Sequence, residues 1–237
     1  MKVYVVNLKK DTAKRRFMEE QLRAAGVEAE FADGVLGAEL PPAAYRRALN
    51  RFRWWCAVGR PAAPAEVGCA LAHFAIYRGM QAPVCILEDD VRLDPRFAAT
   101  LARVEAFLDP DRPQLFLLSN HHHLVPDELG EAIRRDRWGM CTDGYVLTPR
   151  AAACLLKWND PLQAPCDSWG RWARAHAEFE LYHVFPSVVS QAQELLGSST
   201  SEGRRAVSDF SWPKWVLHKG LRAVGRTVDA VLTKMGR

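Results

Sequence analysis

The chain opens with KVYVVNLKKDTAKRRFMEEQLRAAGVEAEFADG, residues 2–34. Residues 2–8 are an apolar, β-branched run, which predicts a buried strand. A helix is expected from about residue 12 to residue 25, because the glycine that follows, Gly26, is a typical helix end. Apolar and acidic residues then alternate over residues 27–31, which predicts a second strand. Strand, helix and strand in this order form a βαβ unit and imply a parallel sheet.

The rest of the chain continues this alternation of strands and helices. Short apolar runs predict buried strands at residues 84–87, 115–118, 145–147 and 179–184. Helical spacing or capping residues predict helices at residues 66–80, 97–108, 148–156 and 168–175. The segment from Leu36 to Pro64 shows no clear period, so we expect an irregular insertion that serves either packing or substrate binding. The expected fold class is α/β, with a Rossmann-type, mostly parallel central sheet flanked by helices.

Composition is that of a soluble globular domain. The chain has 237 residues, of which 49% are hydrophobic and 25% charged, and this is enough to bury a sizeable core. No apolar run approaches the roughly 20 residues that cross a bilayer, and no secretory signal is evident. The six cysteines show no disulfide or zinc spacing. We therefore expect a cytoplasmic location.

The positive charge is concentrated at the carboxyl end. Trp212–Arg237 contains six Lys or Arg residues and one acid, within a chain of net charge +4. The rest of the chain is thus nearly neutral, and we expect no nucleic-acid partner, because a nucleic-acid-binding core carries its basic residues on the fold itself.

The same tail has a helical stripe of apolar residues. The stripe consists of Leu217, Leu221, Val224, Val228, Val231 and Met235. A basic amphipathic helix of this kind suits an anionic membrane surface on the inner face of the cytoplasmic membrane. Docking on its own domain or on a partner helix is the alternative. We expect two regions: a catalytic domain at residues 1–205 and a basic tail at residues 206–237.

Three acids follow the strand predicted at residues 84–87: Glu88, Asp89 and Asp90. In open α/β sheets, ligands bind beyond the carboxyl ends of the strands. If the chain stays extended, Glu88 and Asp90 share one face and Asp89 lies on the other. The carboxylates of Glu88 and Asp90 would then repel each other by about 2 kcal/mol. A hard divalent cation such as Mn²⁺ or Mg²⁺ would relieve this repulsion. A solvated acidic turn is the alternative, and on these grounds nucleotidyltransferases and phosphatases also remain possible.

Several motifs together resemble glycosyltransferase family 25, the lipopolysaccharide-type β-galactosyltransferases of bacteria and their relatives that modify collagen. The motifs occur in a fixed order: VVNL at 5–8 with Arg15 and Arg16, DG at 33–34, EVGCALAH at 66–73, ILEDDV at 86–91, TDGYVL at 142–147 and PCD at 165–167. Weaker similarities are residues 186–191 and the serines at 198, 199 and 201. Together they span roughly residues 3–201.

The resemblance implies a GT-A fold, in which a Rossmann-like nucleotide-binding half is fused to an acceptor half. It implies an inverting, metal-dependent hexosyltransferase that uses a UDP-sugar, with galactose or glucose as the hexose. The acceptor would be a lipopolysaccharide, a lipooligosaccharide or another glycan or glycolipid. Glu88-x-Asp90 would replace the D-x-D motif, with Asp90 and Glu88 as the metal ligands and Asp89 on the donor. Rival hypotheses are a nucleotidyltransferase with the same acidic site and a non-catalytic adaptor.

Two carboxylates are candidates for the general base that deprotonates the acceptor hydroxyl. We favour Asp167, since family members carry an acid there more regularly, and Asp143 is the second choice. The structural alternatives are a helix N-cap for Asp167 and a turn residue for Asp143.

Further candidates come from the ends of predicted elements and from the family motifs. For donor binding they are Asn7, Leu8, Arg15, Arg16, Asp33, Gly34, Glu66, Gly68 and His73, in addition to Glu88 and Asp89. Additional contacts are possible for Gln191, His183 and, within His121-His122-His123, His121. Arg15 and Arg16 could equally be solvent-facing helix charges, and His73 could be a buried core histidine.

Overall fold

The computed structural model describes residues 1–119 and 130–192, together with residues 220, 223, 224 and 227. The strands are β1 Lys2–Asn7, β2 Glu30–Asp33, β3 Val84–Glu88, β4 Val91–Leu93, β5 Gln114–Leu117, β6 Ala132–Asp136, β7 Gly144–Leu147, β8 Glu180–Phe185 and β9 Val189–Gln191. The helices are α1 Thr12–Ala25, α2 Pro42–Ala48, α3 Arg51–Val58, α4 Pro64–Gly79, α5 Phe97–Phe107, α6 Pro149–Asn159 and α7 Trp169–Ala175.

The main sheet has seven strands in the order β2-β1-β3-β7-β5-β8-β6. β1 pairs in parallel with β2 and β3, and β5 pairs in parallel with β8. β7 and β6 run antiparallel to their neighbours, so the other five strands all point the same way. The predicted α/β class with a mostly parallel sheet is confirmed. β4 and β9 form a separate antiparallel ribbon.

The chain divides into two compact units. The described residues of the first unit are 1–34, 72–119, 130–157 and 167–192, and one hydrophobic cluster of its core lies on one face of the sheet. Buried side chains from strands and helices meet there, among them Val5 of β1, Met18 of α1, Phe97 of α5 and Phe116 of β5. Each large apolar side chain buried in this way contributes about 1.5–3 kcal/mol.

Residues 35–71 and 158–166 belong to the second unit. The prediction of an irregular insertion from Leu36 to Pro64 is wrong, because α2 and α3 occupy most of it. Its prolines suggested irregular chain, but they mark helix starts: Pro42 is the first residue of α2, a position that proline tolerates. The Asn50 side chain caps α3 by accepting a hydrogen bond from the Arg53 amide at 3.1 Å. Trp54, in this helix, is buried and therefore has a packing role.

Most other boundaries agree with the predictions to within a few residues. α1 ends as expected at Gly26, whose φ of 65° is in the left-handed region that favours glycine. The second strand begins at Glu30, later than expected, and β4, β6 and β9 were not predicted. Within the residues that the structure describes, no helix is long and apolar enough to span a bilayer. The amphipathic tail at 206–237 lies almost entirely outside the described residues and stays a prediction.

Candidate active site

The adjacent parallel strands β1 and β3 of the first unit end side by side. Val6 of β1 is the register partner of Glu88 of β3, so the residues that follow these two positions lie close together. Asn7 Nδ2 donates a hydrogen bond to Asp89 Oδ2 at 2.7 Å, and both residues are buried. The predicted location of Asn7 and the acids at one edge of the sheet therefore agrees with the structure.

A lysine that the sequence analysis did not select lies between two of the acids. Lys14 Nζ is 3.1 Å from Asp89 Oδ1 and 3.3 Å from Asp90 Oδ2. The three side chains are only 15%, 11% and 13% exposed. The ammonium group offsets the mutual repulsion of the two carboxylates, and that repulsion is stronger in a poorly solvated site than in water.

The neighbouring arginines point elsewhere. Arg15 forms an ion pair with Glu19 at 2.9 Å, and its guanidinium lies 4.2 Å from the centre of the Phe31 ring. Arg16 is exposed. Of this basic run, Lys14 is the residue whose side chain reaches the acids. Its signal in the sequence is its spacing, because Lys14 lies four and eight residues before the buried Met18 and Leu22 and so shares their helix face.

The expected orientation of the acids is wrong in one respect. β3 ends at Glu88, and Asp89 and Asp90 form the turn that leads into β4. The alternation of an extended strand therefore stops before Asp89, and Asp89 shares the Lys14 ammonium with Asp90 instead of pointing to the opposite face.

Glu88 belongs to a buried polar network on the other side of this edge. Its Oε1 is 3.2 Å from His73 Nε2 and accepts a hydrogen bond from the Thr142 hydroxyl. His73 Nδ1 lies 2.6 Å from the Tyr145 hydroxyl, which in turn lies 2.6 Å from the Tyr77 hydroxyl. His73 is thus a buried histidine with a polar partner on each ring nitrogen, and it orients Glu88.

The pKa of Glu88 is shifted in the opposite direction to the pKa values of Asp89 and Asp90. Burial acts to raise the pKa of Glu88, but the hydrogen bond and charge of His73, together with the Thr142 hydrogen bond and the charge of Lys14, hold the pKa below its usual value. Burial raises the pKa of Asp90 to about 6, against the opposing charge of Lys14 and with the help of the other two acids. Burial also raises the pKa of Asp89.

Asp143 and Gln191 complete the acidic edge. The Asp143 carbonyl accepts a hydrogen bond from the Glu88 amide at 2.9 Å, and Gln191 Nε2 donates to Asp143 Oδ1 at 2.9 Å. Gln191 reaches this position because β9 pairs with β4, where Val91 is its register partner. The structure therefore places Asp143 next to Glu88, and Gln191 next to Asp143.

Asp167 lies in the turn before α7 and is half-buried. The N-cap position of α7 is Ser168, whose side chain makes no capping hydrogen bond, and Asp167 lies one residue before it. The turn is held near β7 through Trp169, whose indole nitrogen donates to the Cys141 carbonyl at 3.2 Å and whose ring lies 5.1 Å from Tyr145.

Three donor candidates near the end of β1 have clear local contacts. The Gly34 amide donates to the Asn7 carbonyl at 2.8 Å, and a Cβ at Gly34 would lie 3.0 Å from the Leu8 amide nitrogen. Only glycine therefore fits this close approach without a shift. Leu8 accepts a backbone hydrogen bond from Asp11 at 2.8 Å. Asp33 is exposed and pairs with Lys9 at 2.8 Å.

Glu66 and Gly68 have structural contacts within the second unit. Arg60 donates two hydrogen bonds to the Glu66 carboxylate at 2.7 Å each. A Cβ at Gly68 would lie 2.2 Å from the Val35 carbonyl oxygen. Both residues thus have packing or pairing roles, and their assignment to donor binding stays a prediction.

His183 is held by contacts away from the three acids. His183 lies on β8, where its Nε2 is 2.6 Å from the Trp138 carbonyl oxygen and 3.7 Å from Asp136. These contacts give it a structural role. His121 lies outside the residues that the structure describes.

Known proteins are similar in sequence to part of this chain. A glycosyltransferase 25 family member of Aedes aegypti is 31% identical over 109 residues, which cover 43% of this chain and 18% of that protein. A putative glycosyltransferase of Acanthamoeba polyphaga mimivirus is 26% identical over 169 residues, which cover 64% of this chain and 51% of the relative. The chain thus matches between about a fifth and a half of the length of these curated relatives.

A solved structure, described as a glycosyltransferase involved in the glycosylation of the major capsid of PBCV-1, is 12% identical with a TM-score of 0.37. The match covers 86% of this chain and 97% of that one. The family model described as "Glycosyltransferase family 25 (LPS biosynthesis protein)" matches residues 1–169. This match includes β1, the acids after β3 and the Asp143 edge, and it shows that the chain belongs to glycosyltransferase family 25.

Proposed function

We propose that this protein transfers a hexose from a UDP-sugar to a hydroxyl group of a glycan or glycolipid. Family membership supports glycosyl transfer in general. The observation that carries the proposal further is the largely buried cluster of Asp89, Asp90 and Lys14 beyond the ends of β1 and β3, which we call the cation pocket. Ligands of open α/β sheets bind at such strand ends, and a nucleotide sugar carries a diphosphate that needs positive charge.

The side chains of this pocket suit a divalent cation. Two carboxylates stabilise the Lys14 ammonium there, and carboxylate oxygens are the preferred ligands of Mg²⁺ and Mn²⁺. We assign Asp90 and Asp89 as the residues that would hold the ion, since Glu88 Oε1 is taken by His73 and Thr142. When bound, the ion would neutralise the negative charge that develops on the diphosphate as the sugar leaves.

The protein's own groups would perform the remaining steps. Lys14, once displaced from the carboxylates, can place its ammonium near the diphosphate and stabilise the same developing charge. Asn7 fixes Asp89 through its amide. An inverting transfer is a single displacement, so a base must take the proton of the acceptor hydroxyl as that hydroxyl attacks the face of the sugar opposite the diphosphate.

Asp143 and Asp167 remain the two candidates for this base. Asp143 has the more direct connection to the acidic edge, through Glu88 and Gln191. Asp143→Asn and Asp167→Asn should be compared by kcat, because loss of a general base lowers kcat by about 10²–10⁴-fold with little change in KM for the donor. An unchanged kcat in both variants would show that neither aspartate is the general base.

A donor screen tests the proposal directly. The full chain is mixed with UDP-, GDP-, CMP- and ADP-sugars and with nucleoside triphosphates, with and without Mn²⁺, and the melting temperature and the release of nucleotide and pyrophosphate are measured. We expect only UDP-sugars to raise the melting temperature, and only with the metal. Stabilisation by a nucleoside triphosphate with pyrophosphate release would indicate a nucleotidyltransferase, and absence of any response would indicate an adaptor.

The role of Lys14 leads to a prediction about metal affinity. Lys14 and a divalent ion compete for the same two carboxylates, so Lys14→Gln should bind Mn²⁺ about tenfold more tightly in the absence of nucleotide, a difference of about 1.4 kcal/mol. Titration followed by electron paramagnetic resonance gives this affinity. Lys9→Gln is the matched control, because Lys9 is exposed and pairs with Asp33. Equal Mn²⁺ affinity in Lys14→Gln and the wild type would show that Lys14 does not compete with the ion for these carboxylates.

The raised pKa of Asp90 leads to a prediction about pH. Because the folded pKa of about 6 exceeds the usual value of 3.8, the folded protein binds more protons than the unfolded chain between these two values. The metal-free protein should therefore gain stability as the pH falls from about 6 to about 4. Mn²⁺ binding should weaken below pH 6, by about tenfold per unit for one displaced proton. Asp90→Asn should lack this stability gain in thermal denaturation, and an identical pH profile in the variant would contradict the assignment.

A further inference from the structure

An exposed tryptophan of the first unit is surrounded by arginines. Trp138, in the segment between β6 and β7, is 59% exposed. Arg137 precedes it, Arg134 lies on the edge strand β6 and Arg174 lies on α7. We name these four residues the arginine–tryptophan patch. All three arginine side chains are exposed.

Specific contacts hold the patch together. The Arg174 guanidinium lies 3.8 Å from the centre of the Trp138 ring, and its Nη1 donates to the Arg137 carbonyl at 2.9 Å. His183 Nε2 lies 2.6 Å from the Trp138 carbonyl oxygen. Arg134 is the register partner of His183 in the β6–β8 ladder, so its side chain starts from the same face of the sheet.

Positive charge in the patch is not compensated. In the described part of the chain, none of Arg134, Arg137 and Arg174 has a carboxylate partner. Asp136, which precedes Arg137 in the chain, accepts hydrogen bonds from the backbone amides of Arg137 and Trp138. Three guanidinium groups thus face solvent around an aromatic ring with one carboxylate nearby.

The patch is connected to the candidate active site by a short, packed segment. From Trp138 the chain runs through Gly139 to Thr142 and Asp143, which contact Glu88. Gly139 is held tightly, since a Cβ there would lie 2.6 Å from a Leu117 side-chain carbon, and its carbonyl accepts from the Gly170 amide at 2.9 Å. The five residues that follow Trp138, up to and including Asp143, span at most about 17 Å. A saccharide of a few sugar units is long enough to cover this distance.

We propose that the arginine–tryptophan patch binds a phosphate or carboxylate group on the saccharide acceptor, one or a few sugar units from the hydroxyl that receives the hexose. Guanidinium groups bind both anions through paired hydrogen bonds, and the exposed indole ring offers an apolar surface for a sugar ring. The acceptor is therefore an anionic saccharide. This inference rests on the proposed glycosyl transfer and specifies its substrate class.

The test compares one oligosaccharide in two forms. The probe is a phosphorylated oligosaccharide, and its neutral counterpart is prepared from it by phosphatase treatment. Binding to the full chain is measured by calorimetry, without donor. We expect the wild type to bind the phosphorylated form at least tenfold more tightly. Trp138→Ala should weaken binding of both forms, and Arg137→Gln and Arg174→Gln should reduce the preference for the charged form.

Controls separate this inference from the proposed function. Arg23→Gln changes an exposed arginine on α1 and should keep the preference. UDP-sugar binding is measured in every variant and should not change, because no patch residue contacts Asp89, Asp90 or Lys14. Equal binding of the two oligosaccharides by the wild type would overturn the inference even if nucleotide-sugar hydrolysis is found. Binding of phosphatidylglycerol vesicles through the same arginines, with no preference between oligosaccharides, would assign the patch to a membrane surface instead.

Discussion

Asp90→Asn is expected to reduce glycosyl transfer by at least about 100-fold, the size of effect seen when a charge that stabilises a transition state is removed. Asp90 is one of the two carboxylates that hold the Lys14 ammonium, and the amide that replaces it carries no negative charge. The variant should keep its fold, because asparagine has the same shape and the carboxylate is partly protonated near its pKa of about 6. Product formation and Mn²⁺-dependent stabilisation by UDP-sugars are the two measurements.

The control for this variant is Asp109→Asn. Asp109 lies in the exposed turn between α5 and β5, at the opposite edge of the sheet. Its carboxylate accepts a hydrogen bond from the Asp111 amide at 3.0 Å, so this substitution also replaces a turn aspartate by its amide. It should leave transfer unchanged. Full activity of Asp90→Asn with the metal present would refute the proposed cation pocket.

Gly68→Ala is expected to destabilise the protein by about 3 kcal/mol, within the range of strongly overpacked substitutions. A Cβ at Gly68 would lie 2.2 Å from the Val35 carbonyl oxygen and 2.7 Å from the Gly37 amide nitrogen, and both are backbone atoms that cannot rotate away. For a chain of this size, that corresponds to a melting temperature lower by roughly 6–12 °C. Differential scanning calorimetry measures the shift.

Gly79→Ala on the same helix is the matched control. No atom lies within 4 Å of a Cβ built at Gly79, so the alanine should be neutral or stabilise α4 by up to about 1 kcal/mol. The comparison also separates two roles of Gly68. If Gly68 served mainly as a phosphate contact, as the sequence motif suggested, Gly68→Ala would lose UDP-sugar affinity at an unchanged melting temperature.

The fold class could be predicted because local signals agree with the global architecture. The β-branched run at 2–8 and the helix end at Gly26 establish the first βαβ unit without tertiary information. β6 and β9 could not be found in this way: β6 is an edge strand with the polar sequence AIRRD, and β9 has three residues. Both depend on long-range pairing, which a local pattern does not encode.

Only part of the candidate site could be predicted from local sequence signals. Asn7 and the acids follow apolar strands, so topology alone brings them together. Lys14 was missed because a charged residue in a basic helix usually faces solvent, and only its alignment with Met18 and Leu22 shows otherwise. Gln191 reaches Asp143 through the β4–β9 ribbon, which no local pattern predicts.

A lysine that already neutralises the acids changes what an ion contributes to this protein. The chain carries its own counter-ion on α1, so folding does not have to wait for metal, and chelation should remove the ion without unfolding the domain. Ion binding then becomes a replacement of one cation by another. A substitution at Lys14 alone can accordingly change how tightly the protein binds the ion, while Asp89 and Asp90 remain unchanged.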